Sequence, residues 1–356
     1  MKGPQSLVRD EIRALTAYPV SPAQGMVKLD AMENPYRLPP ELAARMGERL
    51  AKVEVNRYPD PAAPHLKERL REAMGIPADL DIVLGNGSDE LLQIISTALA
   101  RPGAVALALE PSFVMYRLAA IAAGLRYVGV PLAADFSLDE DALAAAIERE
   151  RPALTWIAYP NNPSGNLFPR EAILRAVAAT PGLVVVDEAY YAFSGGASLL
   201  NEVGRHPNLL LVRTVSKLGL AGLRLGLAIG ARDWMRELEK LRMPYNVNSL
   251  TMAAADLLLA ERAVFERQTE AIVAERGRLE RDLDAMPRLR RFPSAANFIL
   301  VRVPDGPGAF ERLRERGILV RTFHGSHPLL AHCLRLTVGT PDENTRMLAA
   351  LAQALG

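Results

Sequence analysis

The sequence predicts an α/β protein whose central sheet is mainly parallel and flanked by helices, with a smaller α+β domain after it. Short apolar strands alternate with helices from about residue 80 to residue 240, which is the order that builds a parallel sheet. From residue 248 to 286 the pattern becomes long and helical, and three further strand-like runs follow. A chain of 356 residues is long enough for one large and one smaller domain.

The N-terminal part of the chain predicts an arm followed by two helices. The first 35 residues carry prolines and little periodicity, so we expect them to pack on the rest of the protein. A helix follows in "PPELAARMGERLAKV", with proline in its first turn, and a second helix ends at Gly75. We divide the chain into an arm with part of the small domain (1–45), a large domain (46–250) and a small domain (251–356).

The strands of the large domain are predicted from short apolar runs. Three of them are predicted simply as strands: "DIVL", "AVALALE" and "LRYVGVPL". Four more are nearly continuous in apolar character, as expected for parallel strands that are covered on both faces: "ALTWIAY", "LVVV", "NLLLVRTV" and "RLGLAIG". The segment "SLDEDALAAAIERE" predicts a helix opened by a capping box between Ser137 and Glu140. Three strands and a final helix are expected in the small domain, from "NFILVRV", "GILVRTF", "CLRLTVG" and "PDENTRMLAALAQAL".

Composition excludes several classes of partner. The formal net charge is +1, so bulk charge gives no support for a nucleic-acid or membrane partner. The single cysteine, Cys333, allows no intrachain disulfide and is compatible with a reducing compartment. The N-terminus lacks the apolar core of a signal peptide, and no apolar run reaches the roughly 18 residues of a membrane span. We therefore expect a cytoplasmic protein that binds small molecules.

Polar residues follow five of the predicted strands, where open α/β sheets bind their ligands. The segment "GNGSDE" places Ser88 and Asp89 at the start of a helix, whose free N–H groups favour a phosphate. A simple helix cap would also explain Ser88. The third glycine of a dinucleotide fingerprint is missing, and no Walker A motif occurs.

Asp187 and Lys217 are charged residues that lie in apolar stretches of the sequence, where a charge is costly to bury. Asp187 ends an apolar run and needs a cationic or hydrogen-bonding partner, such as a protonated pyridine nitrogen, an arginine or a loop N–H. Lys217 lies among small apolar residues, where desolvation lowers the pKa of an amine and makes it nucleophilic. Ser216 and Arg224, which flank it, suit a phosphate.

The remaining strand exits add hydrogen-bonding and aromatic groups. Asn162 in "NNPSG" offers an amide, although turn chemistry alone could account for that motif. An amine, a buried carboxylate, hydrogen-bond donors, an aromatic ring and a phosphate-binding helix start match one molecule, pyridoxal 5′-phosphate (PLP).

The chain resembles the fold-type I PLP-dependent aminotransferases over nearly its whole length. The motifs that carry the resemblance occur in the family's order: "KLDAMENPY", "RYPDP", "GNGSDE", "YPNNPSGN", "VVVDEAYYAF", "TVSKLGLAGLRLG" and "CLRLTVGTPDEN". The resemblance implies the family's fold, with a large PLP-binding domain, a smaller α+β domain and an N-terminal arm. It also implies PLP as the cofactor and a homodimer as the assembly.

The resemblance implies a role for each motif residue. Lys217 would bind the PLP aldehyde covalently and move a proton, and Asp187 would pair with the pyridine nitrogen. Tyr190 and Asn162 would hydrogen-bond the ring hydroxyl, and Phe113 would stack on the ring. The phosphate would be held by Ser88, Asp89, Ser216 and Arg224, and by Tyr58 of the second subunit. The substrate pocket would contain Tyr18, Asn34, Tyr116, Arg321 and Arg335, with Arg335 binding the α-carboxylate of the amino donor.

Two positions depart from the family's pattern. Most members have the phosphate-site arginine eight positions after the lysine, whereas Arg224 follows Lys217 by seven. We expect a tighter turn there, with Gly219 providing the necessary backbone conformation. Phe113 replaces a frequent tyrosine, which removes a hydroxyl but retains the stacking surface.

Within the family, "AMENPY" and "CLRLTVGT" favour transamination between L-histidinol phosphate and 2-oxoglutarate. Three alternatives stay open: an aromatic or broad-specificity aminotransferase, a threonine-phosphate decarboxylase, and a non-catalytic PLP-sensing effector domain. The last is disfavoured because the aminotransferase arm begins within about 20 residues of Met1. The histidines of "HGSHPLLAHC", at positions 324, 327 and 332, are interpreted as surface or pocket-loop residues and not as a metal site.

Overall fold

The structure is a computed structural model that describes residues 3–17 and 20–356. Its strands are β1 (Val27–Leu29), β2 (Leu80–Asn86), β3 (Val105–Glu110), β4 (Arg126–Pro131), β5 (Leu154–Ala158), β6 (Leu183–Asp187), β7 (Leu209–Thr214), β8 (Leu225–Ala231), β9 (Arg290–Arg291), β10 (Phe298–Arg302), β11 (Ile318–Thr322) and β12 (Cys333–Thr337).

The α-helices alternate with these strands and then dominate the C-terminal part. They are α1 (Pro4–Leu7), α2 (Asp10–Arg13), α3 (Pro40–Leu50), α4 (Pro64–Met74), α5 (Ser88–Ala98), α6 (Met115–Ala123), α7 (Glu140–Glu150), α8 (Arg170–Ala179), α9 (Arg232–Glu239), α10 (Ser249–Ala260), α11 (Arg262–Asp284), α12 (Gly306–Glu315) and α13 (Pro341–Leu355).

The central sheet has seven strands in the order β2-β8-β7-β6-β5-β3-β4, and its strands from β3 to β7 run parallel. Alternate residues of β6 enter the cores on opposite faces: Val184 and Val186 pack on one side and Val185 on the other. Burying each of these side chains contributes about 1.5–3 kcal/mol relative to exposure. The predicted α/β class with a mainly parallel central sheet is confirmed.

Strand β8 differs from the sequence expectation, because it runs antiparallel to both β7 and β2. Its apolar run predicts a parallel strand like the others. A parallel neighbour requires a crossover connection of a dozen or more residues, usually a helix. The chain between Thr214 and Leu225 contains only two short 3₁₀ turns, at Ser216–Leu218 and Ala221–Leu223, so the strand returns in the opposite direction. Lys217 lies in this short return.

The second sheet has the order β1-β11-β12-β10-β9 and is covered by α11, α12 and α13. Strand β1 comes from the N-terminal arm and pairs parallel with β11, with Lys28 opposite Leu319. Strands β10, β11 and β12 are antiparallel. This sheet has its own core, to which β1 contributes Val27 and Leu29.

Helices α10 and α11, between the two sheets in sequence, pack in different cores. Helix α10 packs on α3 and α4, and its residues Ala254, Ala255 and Leu258 lie in a core of the large sheet. Helix α11 begins two residues after α10 ends and reaches the second core through Ile272 and Leu279. The boundaries at 45 and 250 stay predictions.

One predicted helix start is wrong in detail. Helix α7 is capped by Asp139, whose carboxylate accepts a hydrogen bond from the Ala142 N–H, and not by a Ser137–Glu140 capping box. The Ser137 hydroxyl instead donates to Asp135 at 2.6 Å, because the serine belongs to the preceding turn. A complete capping box does occur at α13, between Thr340 and Glu343.

The N-terminal arm packs on the large sheet's helices, as expected. The Arg9 guanidinium donates to the carbonyl oxygens of Ala122 at 2.7 Å and Ile121 at 3.2 Å, at the end of α6. The Ala122 carbonyl is among the last of the helix, which have no N–H partner within it, so a side-chain donor stabilises it, whereas the Ile121 carbonyl also accepts from the Gly124 N–H at 3.0 Å. Within residues 3–17 and 20–356, no helix is both long and apolar enough to cross a membrane.

Candidate active site

A cavity of about 240 Å³ opens at the carboxyl ends of the central strands. Ten of the residues singled out in the sequence line it: Ser88, Asp89, Phe113, Tyr116, Asn162, Asp187, Tyr190, Ser216, Lys217 and Arg224. The roof comes from the N-terminal arm, through residues 31–33. A larger cavity of about 490 Å³ lies beyond the Lys217 turn, but it is lined mainly by apolar side chains such as Met74, Leu220 and Phe265. Chemistry, and not size, therefore identifies the site.

Lys217 projects its amine toward the arm. The Nζ atom donates to the Ala31 carbonyl at 3.1 Å and lies 5.9 Å from the centroid of the Tyr190 ring. Burial, and to a lesser degree the charge of Arg335, lowers the pKa of Lys217 to about 8. A lysine with such a pKa exists partly as the neutral, nucleophilic amine near neutral pH.

The turn after Lys217 is tight, as expected from its shortened spacing. Gly219 has φ +114°, and a Cβ there would lie only 2.9 Å from Asn34 Nδ2. The expectation that Gly219 provides the turn's unusual conformation is confirmed. Arg224 also adopts a left-handed backbone, with φ +49°, just before β8 begins.

Asp187 ends β6 and is held by two hydrogen bonds. Its Oδ2 accepts from the Tyr116 hydroxyl at 2.8 Å, and its Oδ1 accepts from the Ala189 N–H at 3.0 Å. Burial raises the pKa of Asp187 to about 6, although both hydrogen bonds act in the opposite direction. The carboxylate can therefore ionise near neutral pH in a site that excludes most water.

A chain of hydrogen bonds connects the large sheet to the second sheet across the cavity. Asn162 Nδ2 donates to the Tyr190 hydroxyl at 3.2 Å, and Asn162 Oδ1 accepts from Arg335 Nη1 at 2.5 Å. The Tyr190 hydroxyl also lies 3.2 Å from the sulfur of Met32. Arg335 Nη2 donates to the Asp30 carbonyl at 2.8 Å, so the arm closes this network.

The start of α5 and the turn before β8 form the end of the cavity suited to an anion. Ser88 is the first residue of α5, and Gly87, not Ser88, is the capping residue. A Cβ at Gly87 would lie 2.5 Å from Arg224 Nη2, so glycine lets the guanidinium approach the helix start. Arg224 lies 3.5 Å from Asp89, and the Ser216 hydroxyl accepts from Thr214 at 2.9 Å. Free N–H groups, hydroxyls and a guanidinium are a phosphate-binding set.

Arg321 and Arg335 lie directly opposite each other on β11 and β12. Arg335 is buried, and its guanidinium carbon lies 5.3 Å from the ring centroids of both Phe298 and Phe323. Two aromatic faces and fixed hydrogen bonds hold the planar fork in one orientation. The second sheet thus holds a rigid cation against Asn162, one of the residues that line the cavity.

Four of the predicted residues that the structure describes are not among those that line this cavity: Tyr58, Asn34, Arg321 and Arg335. Tyr58 is 81% exposed and stacks on Tyr245, with ring centroids 4.4 Å apart. Asn34 supports the lysine turn, because its Nδ2 donates to the Leu218 carbonyl at 3.1 Å and to Gln268 at 3.0 Å. Tyr18, also predicted for the substrate pocket, lies outside the described residues.

Sequence reasoning missed a buried ion pair behind the site. Glu188 follows Asp187 but points to the other side of the sheet, where it accepts from Arg213 Nε at 3.0 Å and Nη2 at 2.8 Å. The Arg213 guanidinium also covers the Tyr191 ring at 4.1 Å. An arginine inside the apolar run "LLLVRT" was the available signal, since a buried charge requires a partner.

The histidines give no metal site in the described part of the chain. No group of three or more His, Cys, Asp or Glu side chains there could hold a metal ion. The rings of His324 and His332 lie 4.8 Å apart, and His332 Nδ1 accepts from the Gly306 N–H. These histidines therefore belong to the loop that precedes β12.

Comparisons with known proteins show which family the chain resembles. Residues 24–351 match the family model described as aminotransferase class I and II. A histidinol-phosphate aminotransferase from Chromobacterium violaceum is 55% identical and covers 98% of this chain and 97% of its own. One from Burkholderia lata is 52% identical and covers 100% and 99%. The crystal structure of histidinol-phosphate aminotransferase from Sinorhizobium meliloti in complex with PLP superposes with a TM-score of 0.87 at 26% identity, covering 97% and 96% of the chains.

Proposed function

The chain belongs to the class I and II aminotransferases, and we propose that it transfers the amino group of L-histidinol phosphate to 2-oxoglutarate in histidine biosynthesis. The products are imidazole acetol phosphate and glutamate, and the cofactor is PLP. The observation that carries the proposal is 55% identity, over 98% of the chain, to an enzyme that bears this name. The site contributes the independent support that follows.

The donor set of the cavity fits PLP. The cofactor has an aldehyde, a pyridine nitrogen, a ring hydroxyl and a phosphate, and the cavity has a counterpart for each. These are Lys217, the buried Asp187, the Tyr190–Asn162 pair, and the α5 start with Ser88, Asp89, Ser216 and Arg224. PLP, when bound, supplies an aldehyde that joins to amines and a ring that withdraws electrons from the adjoining carbon.

Lys217 is assigned two tasks at its Nζ atom. With a pKa of about 8, roughly a tenth of the amines are neutral at pH 7, which is sufficient for attachment to an aldehyde. The same atom then accepts the proton from the substrate carbon that bears the amine, and it donates this proton to the carbon of the cofactor's aldehyde group. Its position below the arm, 3.1 Å from the Ala31 carbonyl, shields it from bulk water.

Asp187 is assigned to the pyridine nitrogen, and Tyr190 and Asn162 to the ring hydroxyl. The buried carboxylate keeps a proton on the nitrogen, because the pair loses little energy to solvent screening. Asn162 Nδ2 donates a hydrogen bond to the Tyr190 hydroxyl at 3.2 Å, so the two side chains present a fixed pair of donors. Phe113, half-buried at the cavity wall, packs against the ring face.

Arg335 and Arg321 are assigned to the anionic groups of the two substrates. L-Histidinol phosphate carries a phosphate monoester and no α-carboxylate, whereas glutamate carries two carboxylates. A guanidinium binds either anion bidentately. The arginines face each other on adjacent strands, so one pocket serves both half-reactions. Tyr18 and Asn34 are retained from the sequence as proposed neighbours of this pocket.

The proposed assembly is a homodimer in which Tyr58 reaches the phosphate site of the second subunit. Within one chain Tyr58 is 81% exposed. Three other large apolar side chains are also exposed: Val55, which precedes Tyr58 by three residues, Tyr245, which stacks on it, and Met243, close to Tyr245 in sequence. Clusters of exposed apolar side chains mark interaction surfaces. The proposed compartment is the cytoplasm, since the fold's single cysteine leaves it no intrachain disulfide.

A substrate panel tests the proposed function. Purified, PLP-loaded protein is mixed with L-histidinol phosphate, phenylalanine or phosphothreonine, and loss of the cofactor's visible absorption is followed together with CO₂ release. We expect conversion with L-histidinol phosphate at the highest kcat/KM and no CO₂. Preferred turnover of phenylalanine would indicate an aromatic aminotransferase, and CO₂ from phosphothreonine a decarboxylase. Protein that stays colourless after PLP addition would contradict an enzymatic role altogether.

A further inference from the structure

We propose that Tyr116 is a positioning residue for Asp187: its hydroxyl holds the carboxylate ionised and aimed at the cofactor's ring nitrogen, and does not contact the substrate. The resemblance to the aminotransferase family implies instead a place for Tyr116 in the substrate pocket. The assignment to a ring nitrogen rests on the proposed function, whereas the effect on Asp187 itself does not.

The geometry of the hydroxyl carries the proposal. Tyr116 has no exposed surface, and its Oη atom donates to Asp187 Oδ2 at 2.8 Å. With Oδ1 bonded to the Ala189 N–H at 3.0 Å, each carboxylate oxygen has a donor from a different element. The phenol has a single proton, so a hydroxyl that donates to Asp187 cannot also donate to a substrate, and the absence of exposed surface keeps a substrate from reaching it.

The ring of Tyr116 is itself fixed. It lies parallel to Trp156, with an interplanar angle of 1° and centroids 5.3 Å apart. On another side it meets Phe113 edge-on, at 89° and 5.7 Å. Phe113 is the residue assigned to the cofactor's ring face, so one tyrosine sets the position of both the aromatic wall and the carboxylate.

The charges around Asp187 explain why the hydroxyl matters. The carboxylates of Asp89 and Glu188 disfavour its ionisation, as does burial. Other charged side chains at the cavity are Glu33, Lys217 and Arg224, and Arg213 neutralises Glu188 from behind. The Tyr116 hydroxyl and the Ala189 N–H are the contacts that favour the ionised form. The phenol stays a donor, since burial and the negative charge of Asp187 raise its own pKa.

The test is an infrared titration of the full-length chain without PLP. The carboxyl C=O stretch of Asp187 is identified as the band lost in Asp187→Asn. In Tyr116→Phe we expect its titration midpoint to rise by about one pH unit or more, because a hydrogen bond to a charged group has been removed. In parallel we expect PLP to bind about tenfold more weakly at pH 7.

Tyr127→Phe is the matched control. Tyr127 packs in the same core, and its hydroxyl bonds another carboxylate, Glu110, outside the cavity. This variant should leave the Asp187 midpoint and the PLP affinity unchanged. An unshifted midpoint in Tyr116→Phe would overturn the proposal, as would an equal shift in both variants, which would indicate general loosening of the core.

A second variant covers the case in which Tyr116→Phe does not fold. Site-specific 3-fluorotyrosine at position 116 keeps the ring's size but makes the hydroxyl a stronger donor, so the midpoint should fall. A midpoint that does not move downward would contradict the proposal. If the substrate panel fails but both midpoints shift as expected, the proposed function is wrong while the role of Tyr116 stands.

Discussion

At the scale of residues, burial moves the pKa values of the two central groups toward neutrality from opposite directions. Lys217 falls to about 8 and Asp187 rises to about 6. Each change has the same cause, since a low-dielectric site disfavours the charged form of both an amine and a carboxyl. The Lys217 amine, which accepts protons, and the Asp187 carboxyl therefore both have pKa values close to the pH at which an enzyme works.

Lys217→Ala should abolish turnover while allowing PLP to bind. The variant keeps the donors for the ring and phosphate but lacks the amine that attaches the aldehyde and moves the proton, so kcat should fall by about a thousandfold or more. Steady-state kinetics and PLP titration measure both effects. Lys240→Ala, which removes an exposed lysine just after α9, is the control and should retain full activity. Substantial transamination by Lys217→Ala would refute the assignment.

The rate at which PLP attaches should rise with pH. The pKa of Lys217 is lowered to about 8, so the amine is mostly protonated below that pH and mostly neutral above it. The observed rate at which the visible absorption of bound PLP appears should therefore increase up to about pH 8 and then level off. Stopped-flow mixing of the PLP-free chain with PLP gives this profile. A rate that is flat from pH 6 to 9 would show that the amine is not desolvated as described.

Arg335→Ala should impair both half-reactions. Loss of one buried, hydrogen-bonded guanidinium leaves the substrate's anion without its partner, which lowers kcat/KM by roughly 30-fold or more. Single-turnover experiments with L-histidinol phosphate and with glutamate measure each half separately. Arg302→Ala on the same sheet, whose guanidinium donates to the Leu329 carbonyl, is the control. Loss of only one half-reaction would contradict a shared pocket.

At the scale of elements, the site depends on how β6 and β7 end side by side. Asp187 is the last residue of β6, and Lys217 follows β7 by three residues. The pair Glu188–Arg213 links these strand ends on the far side from the cavity, with both side chains almost fully buried. A fixed distance between the two strand ends fixes the distance between carboxylate and amine.

Arg213→Met should destabilise the protein far more than the loss of an exposed ion pair would. Removing one partner leaves Glu188 as an uncompensated buried charge, which costs about 3–5 kcal/mol. The variant Arg213→Met with Glu188→Gln should recover part of the loss, because no charge is left unpaired. Chemical denaturation measures the free energy of unfolding. Arg236→Met, from an exposed pair on α9, should change it little, and an equal loss there would disprove the argument.

At the scale of the whole molecule, the active site draws on every part of the chain. The large sheet carries the residues proposed to bind the cofactor, the second sheet carries Arg335, which is proposed to bind the substrate, and the arm covers the cavity. One further contribution, that of Tyr58, is proposed to come from a second subunit. Such an arrangement makes activity depend on assembly.

Mixing two inactive variants tests the contribution of Tyr58. Lys217→Ala and Tyr58→Ala subunits, once unfolded and refolded together, should form mixed dimers that contain one intact site. Random assembly then restores activity to about a quarter of the wild-type level. Each variant refolded alone is the control. Activity no greater than the average of the two variants would place Tyr58 in its own subunit's site or outside it.

Much of this molecule could be predicted from its sequence, and the failures have physical causes. Asp187 and Lys217 stand out because a charge after an apolar strand requires a reason. The composition of β8 does not indicate its direction, since a strand buried on both faces has the same composition either way, and the signal lay instead in the short connection after β7. The partner of Tyr116 could not be predicted either, because a contact between α6 and the end of β6 depends on how the helix packs.

Strand β1 has a consequence for how the protein is made. Its parallel partner, β11, begins at Ile318, so roughly 290 further residues (318 minus 29) must be synthesised before the pairing can form. At about 5–20 residues per second, a ribosome takes roughly 15–60 s to do so. During that interval the large sheet can fold, while β1 lacks its backbone hydrogen bonds to β11. The arm that roofs the active site is among the first parts synthesised and among the last to reach its place.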